Sequence, residues 1–170
     1  MSLFNQRTKL AHLGIQNKFC KTPIALFHKS SHACSSLLDQ FVMRNGRKTR
    51  SQKITQDVFL RLSIHHAVKT KTWLPGHLIA TQALENVKPA FEIRKQRKGG
   101  TTQLVPVPCP LKRQNSLALR WILEAAKEKK VEMSFAIAQV LYASFCREGK
   151  VFQKRNELHK LAEANRMAIR

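Results

Sequence analysis

Arg94, Lys95, Arg97 and Lys98 fall within one short run directly before Gly99-Gly100. Arg44, Arg47, Lys48, Arg50 and Lys53 form a second run, and neither contains an acid. Such side chains do one kind of chemistry well. The planar guanidinium fork and the ammonium point charge both neutralise phosphate. A charge run is often just a solvated face, but five cations with no acid between them repel one another, and phosphate is the simplest remedy. Lys112, Arg113 and Arg120 continue the pattern, and Lys154, Arg155, Lys160 and Arg166 close it near the carboxyl end. Arg113 and Arg120 are seven apart, two helical turns along one side, so both can meet the same phosphate backbone.

Catalytic constellations are missing. Gly99-Gly100 is not followed by the helix start that a phosphate-binding loop needs. There is no Gly-x-Ser-x-Gly elbow and no His-Glu-x-x-His pair. His65 and His66 are neighbours on a helix and diverge by about 100°, a poor metal pair. The acids fall singly, whereas a metal-dependent nuclease would gather several. Cys20, Cys34, Cys109 and Cys146 form no Cys-x-x-Cys pair, so the expectation is four reduced thiols with no zinc ribbon. We expect no enzyme, no cofactor and no metal.

The totals agree with a polyanion partner. Lys and Arg number 31 against 10 acids, a formal net charge of +21 on 170 residues. Self-repulsion of that size is relieved by nucleic acid, where each neutralised phosphate releases counterion. No apolar run approaches the ~20 residues of a spanning helix. The rival reading is therefore a free basic module on DNA or a membrane surface, and we expect no membrane partner.

Residues 1 to 38 contain no acid. Residues 1 to 34 read as a basic extension or a targeting segment, and residues 35 to 170 as one helical RNA-binding domain. Ser35 and Ser36 can cap a short helix over Leu37 to Met43, ended by Asn45-Gly46. A second helix is expected from about Lys48 to His65, burying Ile54, Val58, Phe59 and Leu62. Trp73 and Leu74 read as a packed anchor before Pro75, which opens a third helix ended by Pro89. Phe91 and Ile93 then alternate with Glu92 and Arg94 as in a strand. Gly99-Gly100 suits a tight hairpin turn.

Pro106, Pro108 and Pro110 lie two apart, so their missing donors share one edge. Val105, Val107 and Cys109 keep the other edge for pairing. This predicts a two-stranded arm over about residues 90 to 109, marginal by itself in water. A fourth helix runs from Leu111 to about Lys129 and anchors the arm through Trp121. A fifth spans Ser134 to Cys146 and stops at Gly149. The last starts near Gln153, with Leu158, Leu161 and Ala162 packed while Lys154, Arg155, Lys160 and Arg166 stay outside. The fold class is mainly α, about six helices with an arm between the third and fourth.

Several blocks in order carry a resemblance: Asn45-Gly46-Arg47-Lys48, Ala83 through Pro89, Gly99-Gly100, Val105-Pro106-Val107, Leu117 through Trp121, and His159 followed by Ala162 through Arg166. Over residues 35 to 168 the chain resembles ribosomal protein seven of the small subunit, the type found in bacteria, plastids and mitochondria. The resemblance implies a structural protein that binds the 3′ major domain of small-subunit rRNA and organises the head with neighbouring head proteins. Its arm would sit by exit-site tRNA and the mRNA path, near ribosomal protein eleven. The rRNA-facing candidates it implies include Arg47, Lys48, Arg94, Arg97, Lys98, Arg113, Arg120 and Arg166. Two departures stand out: Lys112 replaces the first of a usual arginine pair, and Met167 to Arg170 replaces an aromatic tail. The block Arg120 through Ala126 looks closer to mitochondrial members, implying a mitochondrion, with a plastid as the alternative.

Overall fold

Leu62, Ile122 and Ile137 are wholly out of contact with solvent, and the body is assembled around them. A computed structural model describes residues 34–169; the segment read as an extension or targeting sequence falls almost wholly outside them, as does Cys20. In chain order come α1 (residues 34–42), α2 (Lys48–Thr70), α3 (Gly76–Val87), β1 (Phe91–Lys98), β2 (Thr101–Pro108), α4 (Leu111–Glu128), α5 (Met133–Phe145) and α6 (Lys150–Ala164), followed by a 3₁₀ turn over Arg166–Ile169. The fold is mainly helical, six helices with a hairpin between the third and fourth, as expected. α5 is the central rod, packed against α2, α3 and α4. Its buried side chains include Ala136, Ile137, Val140 and Leu141. Each fully buried aliphatic side chain contributes about 1.5–3 kcal/mol.

The helix ends differ from expectation in informative ways. α1 is already helical at Cys34, so Ser35 and Ser36 lie inside it rather than capping it. Asn45 and Gly46 do end it, with φ of 53° and 70°. α2 runs past His65 to Thr70 and stops where Lys71 turns left-handed (φ 55°) and bonds back to the Ala67 carbonyl. Its buried face is only partly apolar. Val58 and Leu62 are joined there by Ser51, Thr55, Ser63 and His66. Thr55 and Ser63 satisfy themselves on carbonyls one turn back, and Ser51 reaches the Asp39 carbonyl of α1 at 3.1 Å. Trp73 is not a packed anchor: it is 71% exposed, and Leu74 alone turns inward. α5 is ended by Arg147 at φ 61°, before Gly149. α6 begins at Lys150, three residues early, and buries Val151. Leu161 is 52% exposed and does not pack.

Asn86 ties the third, fifth and sixth helices together. Its amide donates to the Ser144 and Phe145 carbonyls at the end of α5, each at 3.2 Å. Its own carbonyl accepts Arg155 Nη1 of α6 at 2.5 Å. Arg155 therefore turns inward rather than staying outside, stacked over Phe152 and partly desolvated.

The hairpin has the register that the prolines require. Phe91 faces Pro108, Ile93 faces Pro106 and Arg94 faces Val105. Cys109 N–H donates to the Ala90 carbonyl at 3.0 Å. Hydrogen-bonded pairs alternate along an antiparallel ladder, so Val107 and Val105 take the paired positions while Pro106 and Pro108 miss them. Gly99 and Gly100 both have positive φ (56° and 82°), the two-residue turn suited to the strand twist.

Two neighbouring helices clasp the root of this arm. On one side Ala90 N–H donates to His159 Nε2 of α6 (3.2 Å), and the Phe91 ring meets that imidazole edge to face. On the other, Gln114 of α4 donates to the Cys109 carbonyl (2.8 Å) and Arg113 to Glu92 (2.8 Å). Trp121 lies in the helical core below, so His159, Gln114 and Arg113 do the anchoring expected of it. The His159 contact needs a neutral imidazole. Desolvation, and then the charge of Arg155, lower its pKa from the usual 6.5. A depressed histidine pKa stabilises the fold above the unfolded value and loses that stability as pH falls below about 6.5. Wild type should therefore lose about 1 kcal/mol between pH 7.5 and 5.5 through this bond. The check is urea unfolding at both pH values, where His159→Gln should remove that part of the difference.

Candidate nucleic-acid interface

The ten acids are not spread evenly against the cations. Five of them, Glu85, Glu92, Glu124, Glu128 and Glu132, are in ion pairs, and four of these pairs join different elements. Lys150 and Lys154 of α6 reach Glu128 and Glu124 of α4, each at 2.9 Å. Arg61 of α2 reaches Glu132 at the start of α5 at 2.9 Å, and its guanidinium also lies over Phe135. Lys88 pairs with Glu85 one turn away. Exposed pairs of this kind add little stability singly. Their larger consequence is where they leave charge uncompensated.

The first uncompensated cluster is the α1–α2 turn. Arg44, Arg47, Lys48, Arg50 and Lys53 are all exposed and, among the described residues, take part in no ion pair. Arg44, Arg47 and Arg50 line one concavity with Val42, Ile54 and Met133. α2 starts there with no capping side chain and no acid in its first turn, so its free N–H groups and positive dipole end add to the same field.

The second cluster is the arm and the start of α4. By register, Lys95 and Arg97 lie on the face that carries Phe91 and Ile93, and Arg94 on the opposite face beside Val105. Cations on both faces let the tip enter a groove between two phosphate strands. Lys98 closes the first strand at the turn. Lys112 and Arg120 are exposed on α4 and have no ion pair among the described residues. Not one acid occurs between Glu92 and Glu124. Arg166, in the 3₁₀ turn after α6, lines a groove with Phe91, Pro106, His159 and Glu163, and Lys160 is exposed on α6.

Three expected phosphate ligands have partners inside the chain. Arg113 is held by Glu92, whose carboxyl is pulled below the usual range first by that hydrogen bond. Lys154 sits on Glu124 and over the Trp121 ring. Arg155 is bound to the Asn86 carbonyl. Spacing alone cannot separate these from the free cations, because their partners lie on other elements. Trp73, expected to pack, is exposed at the surface.

Among the described residues no three His, Cys, Asp or Glu come together as a metal site would need. Cys34 and Cys109 are buried thiols and Cys146 is an exposed one. Also among them, no helix is long and apolar enough to cross a membrane.

Known proteins match this chain over most of its length. The family described as Ribosomal protein S7p/S5e matches residues 13–166, beginning inside the segment read as an extension. A Small ribosomal subunit protein uS7 of Thermotoga maritima is 40% identical over 126 residues, 74% of this chain and 77% of that protein. The Rhodopirellula baltica uS7 is 36% identical over 136 residues, covering 78% and 84%. The uS7m of Marchantia polymorpha is 40% identical over 146 residues, 83% of this chain but 56% of that longer protein. This chain belongs to the ribosomal protein S7p/S5e family.

Proposed function

We propose that this chain is a structural component of the small ribosomal subunit that holds rRNA through its α1–α2 turn, its arm and the exposed face of α4. The observation that carries the reading is the pair of uncompensated cation clusters in a family of ribosomal proteins. No catalysis is involved, since the family is structural. The RNA ligands are Arg44, Arg47, Lys48, Arg50 and Lys53 on the turn and Arg94, Lys95, Arg97 and Lys98 on the arm, with Lys112, Arg113, Arg120, Lys160 and Arg166 beside the arm. Lys154 and Arg155 support them by fixing α6. The RNA segment is the 3′ major domain, and the chain organises the head together with neighbouring head proteins. The arm lies near exit-site tRNA and the mRNA path, with ribosomal protein eleven close by. The compartment is the mitochondrion, a reading supported by the 40% identity to a uS7m over most of this chain.

Sedimentation tests it directly. The tagged full chain, expressed in cells and followed through organelle isolation and a sucrose gradient, should travel with the mitochondrial small subunit. Migration at the top of the gradient would overturn the ribosomal reading, and migration with another compartment's small subunit would overturn the mitochondrial one. Purified protein should bind an rRNA fragment of the 3′ major domain with a steep salt slope. Glu92→Gln releases Arg113 without disturbing the arm's backbone pairing. It should leave the melting temperature nearly unchanged and tighten RNA binding by a factor of about 2–5 at low salt. Weaker binding in a filter assay would count against an RNA-facing Arg113.

A further inference from the structure

The concavity at the α1–α2 turn contains more than phosphate contacts require. It has a volume of about 340 Å³ and opens beside Asn45. Its rim is Arg44, Arg47 and Arg50, all exposed. Its floor is Val42, Ile54 and Met133, half-buried and packed on the core from α1, α2 and α5. No acid lines it, so the three guanidiniums repel one another across the opening until an anion enters. The left-handed Asn45 and Gly46 reverse the chain between Arg44 and Arg47 and so bring both to the same opening. A phosphate on the rim would satisfy the charge but leave three aliphatic side chains wet. A flat apolar disc covalently joined to that phosphate satisfies both.

We propose that this concavity takes one unstacked nucleotide of the bound RNA, its base on Ile54, Val42 and Met133 and its phosphate on the rim arginines. The inference rests on the RNA-binding reading above and goes further than it, from backbone neutralisation to capture of a single base. Structured RNA is recognised largely at loops and bulges, where bases can be splayed onto protein surfaces. Arginine suits the rim because its plane grips phosphate with paired hydrogen bonds and also stacks on bases. The Asn45 amide carries both a donor and an acceptor for a base edge. Ser51 is not available for that role, because its hydroxyl is bound to the Asp39 carbonyl.

The test uses the full chain, methyl-labelled at Ile, Val and Met, titrated with inorganic phosphate and with RNA hairpins. Four hairpins carry one bulged nucleotide, one of each base; a fifth has an abasic residue at the bulge. At least one bulged hairpin should shift the Ile54 and Met133 methyl signals and bind about tenfold tighter than the abasic one. Ile54→Ala should abolish that preference while leaving the salt slope unchanged. Should that variant unfold, Val42→Thr, of the same shape, tests the same floor. Arg47→Ala with Arg50→Ala should instead lower the salt slope by about 2. Equal binding of bulged and abasic hairpins, with unmoved methyls, overturns the base pocket and leaves RNA binding intact. Phosphate moving the methyls as far as RNA does reduces the site to an anion pocket and also overturns it. If no hairpin and no rRNA fragment binds with salt dependence, the RNA-binding reading itself fails.

Discussion

Gly76→Ala should cost about 3 kcal/mol or more and prevent α3 from seating on α2. The reason is steric and local. A Cβ built on Gly76 would lie 1.9 Å from the Phe59 carbonyl oxygen and 2.6 Å from its carbon. Both are backbone atoms in the middle of α2, where the carbonyl is committed to the helical ladder. A flexible side chain could swing aside; this carbonyl cannot, so the two helices must separate. Separation opens the interface that buries Ile79, Ala80 and Ala83 against Val58 and Leu62. Overpacking usually costs 1–3 kcal/mol, and a clash with backbone belongs at or above the upper end. For a chain of this size that is a fall in melting temperature of roughly 6–12 °C. Gly99→Ala is the contrast. Its Cβ would meet nothing within 4 Å, and only its φ of 56° opposes the change, so the loss should be about 1 kcal/mol. Thermal melts of the two variants should therefore separate widely. A Gly76→Ala protein melting within two or three degrees of wild type, by about the same scaling, would refute the close crossing.

That crossing was invisible in the sequence, and the reason is general to this chain. Periodicity reports which face of a helix is buried, and it locates Val58 and Leu62 correctly. Turn chemistry was equally legible. The glycine pair and the proline phase dictate a hairpin with Val105, Val107 and Cys109 on the pairing edge, and the register agrees with that. What periodicity does not carry is which distant element lies on that face. Ser51, Thr55, Ser63 and His66 are polar and yet buried, because each can reach a carbonyl or a neighbouring side chain once folded. Trp73 looks like core and is exposed, because the chain leaving Lys71 turns Leu74 inward instead. The same limit governs the candidate site. Cation runs at the turn and the arm were legible because they are local. The partners of Arg113, Lys154 and Arg155, two carboxylates and a backbone carbonyl, sit 21, 30 and 69 residues away. No local pattern could have removed those three from the free set.

The distinction between free and internally paired cations sets the largest functional effect. Arg47→Ala, Lys48→Ala and Lys53→Ala combined should weaken rRNA binding roughly a hundredfold at 0.1 M salt and lower the slope of log K against log salt by about 2–3. All three side chains are exposed, and none is in an ion pair among the described residues. Their removal relieves repulsion, so the melting temperature should hold or rise, and lost affinity cannot be ascribed to unfolding. The matching arm variant, Arg94→Ala, Lys95→Ala and Arg97→Ala, should lower the slope by as much but the affinity by only about tenfold. The turn is part of a packed body and presents its charges at fixed positions. The arm is a two-stranded ribbon whose described side-chain bonds to the helices lie at its root. A lone ribbon is marginal in water, so holding it on RNA costs entropy that is subtracted from the contacts it makes. Filter binding of both variants from 50 to 300 mM salt (a range of about this width keeps the plot linear) separates slope from intercept. Parallel slopes with a larger intercept loss for the turn variant are expected. An unchanged slope in either variant would show that its cations do not reach phosphate. A greater loss of affinity for the arm than for the turn would make the arm, not the body, the principal hold on RNA.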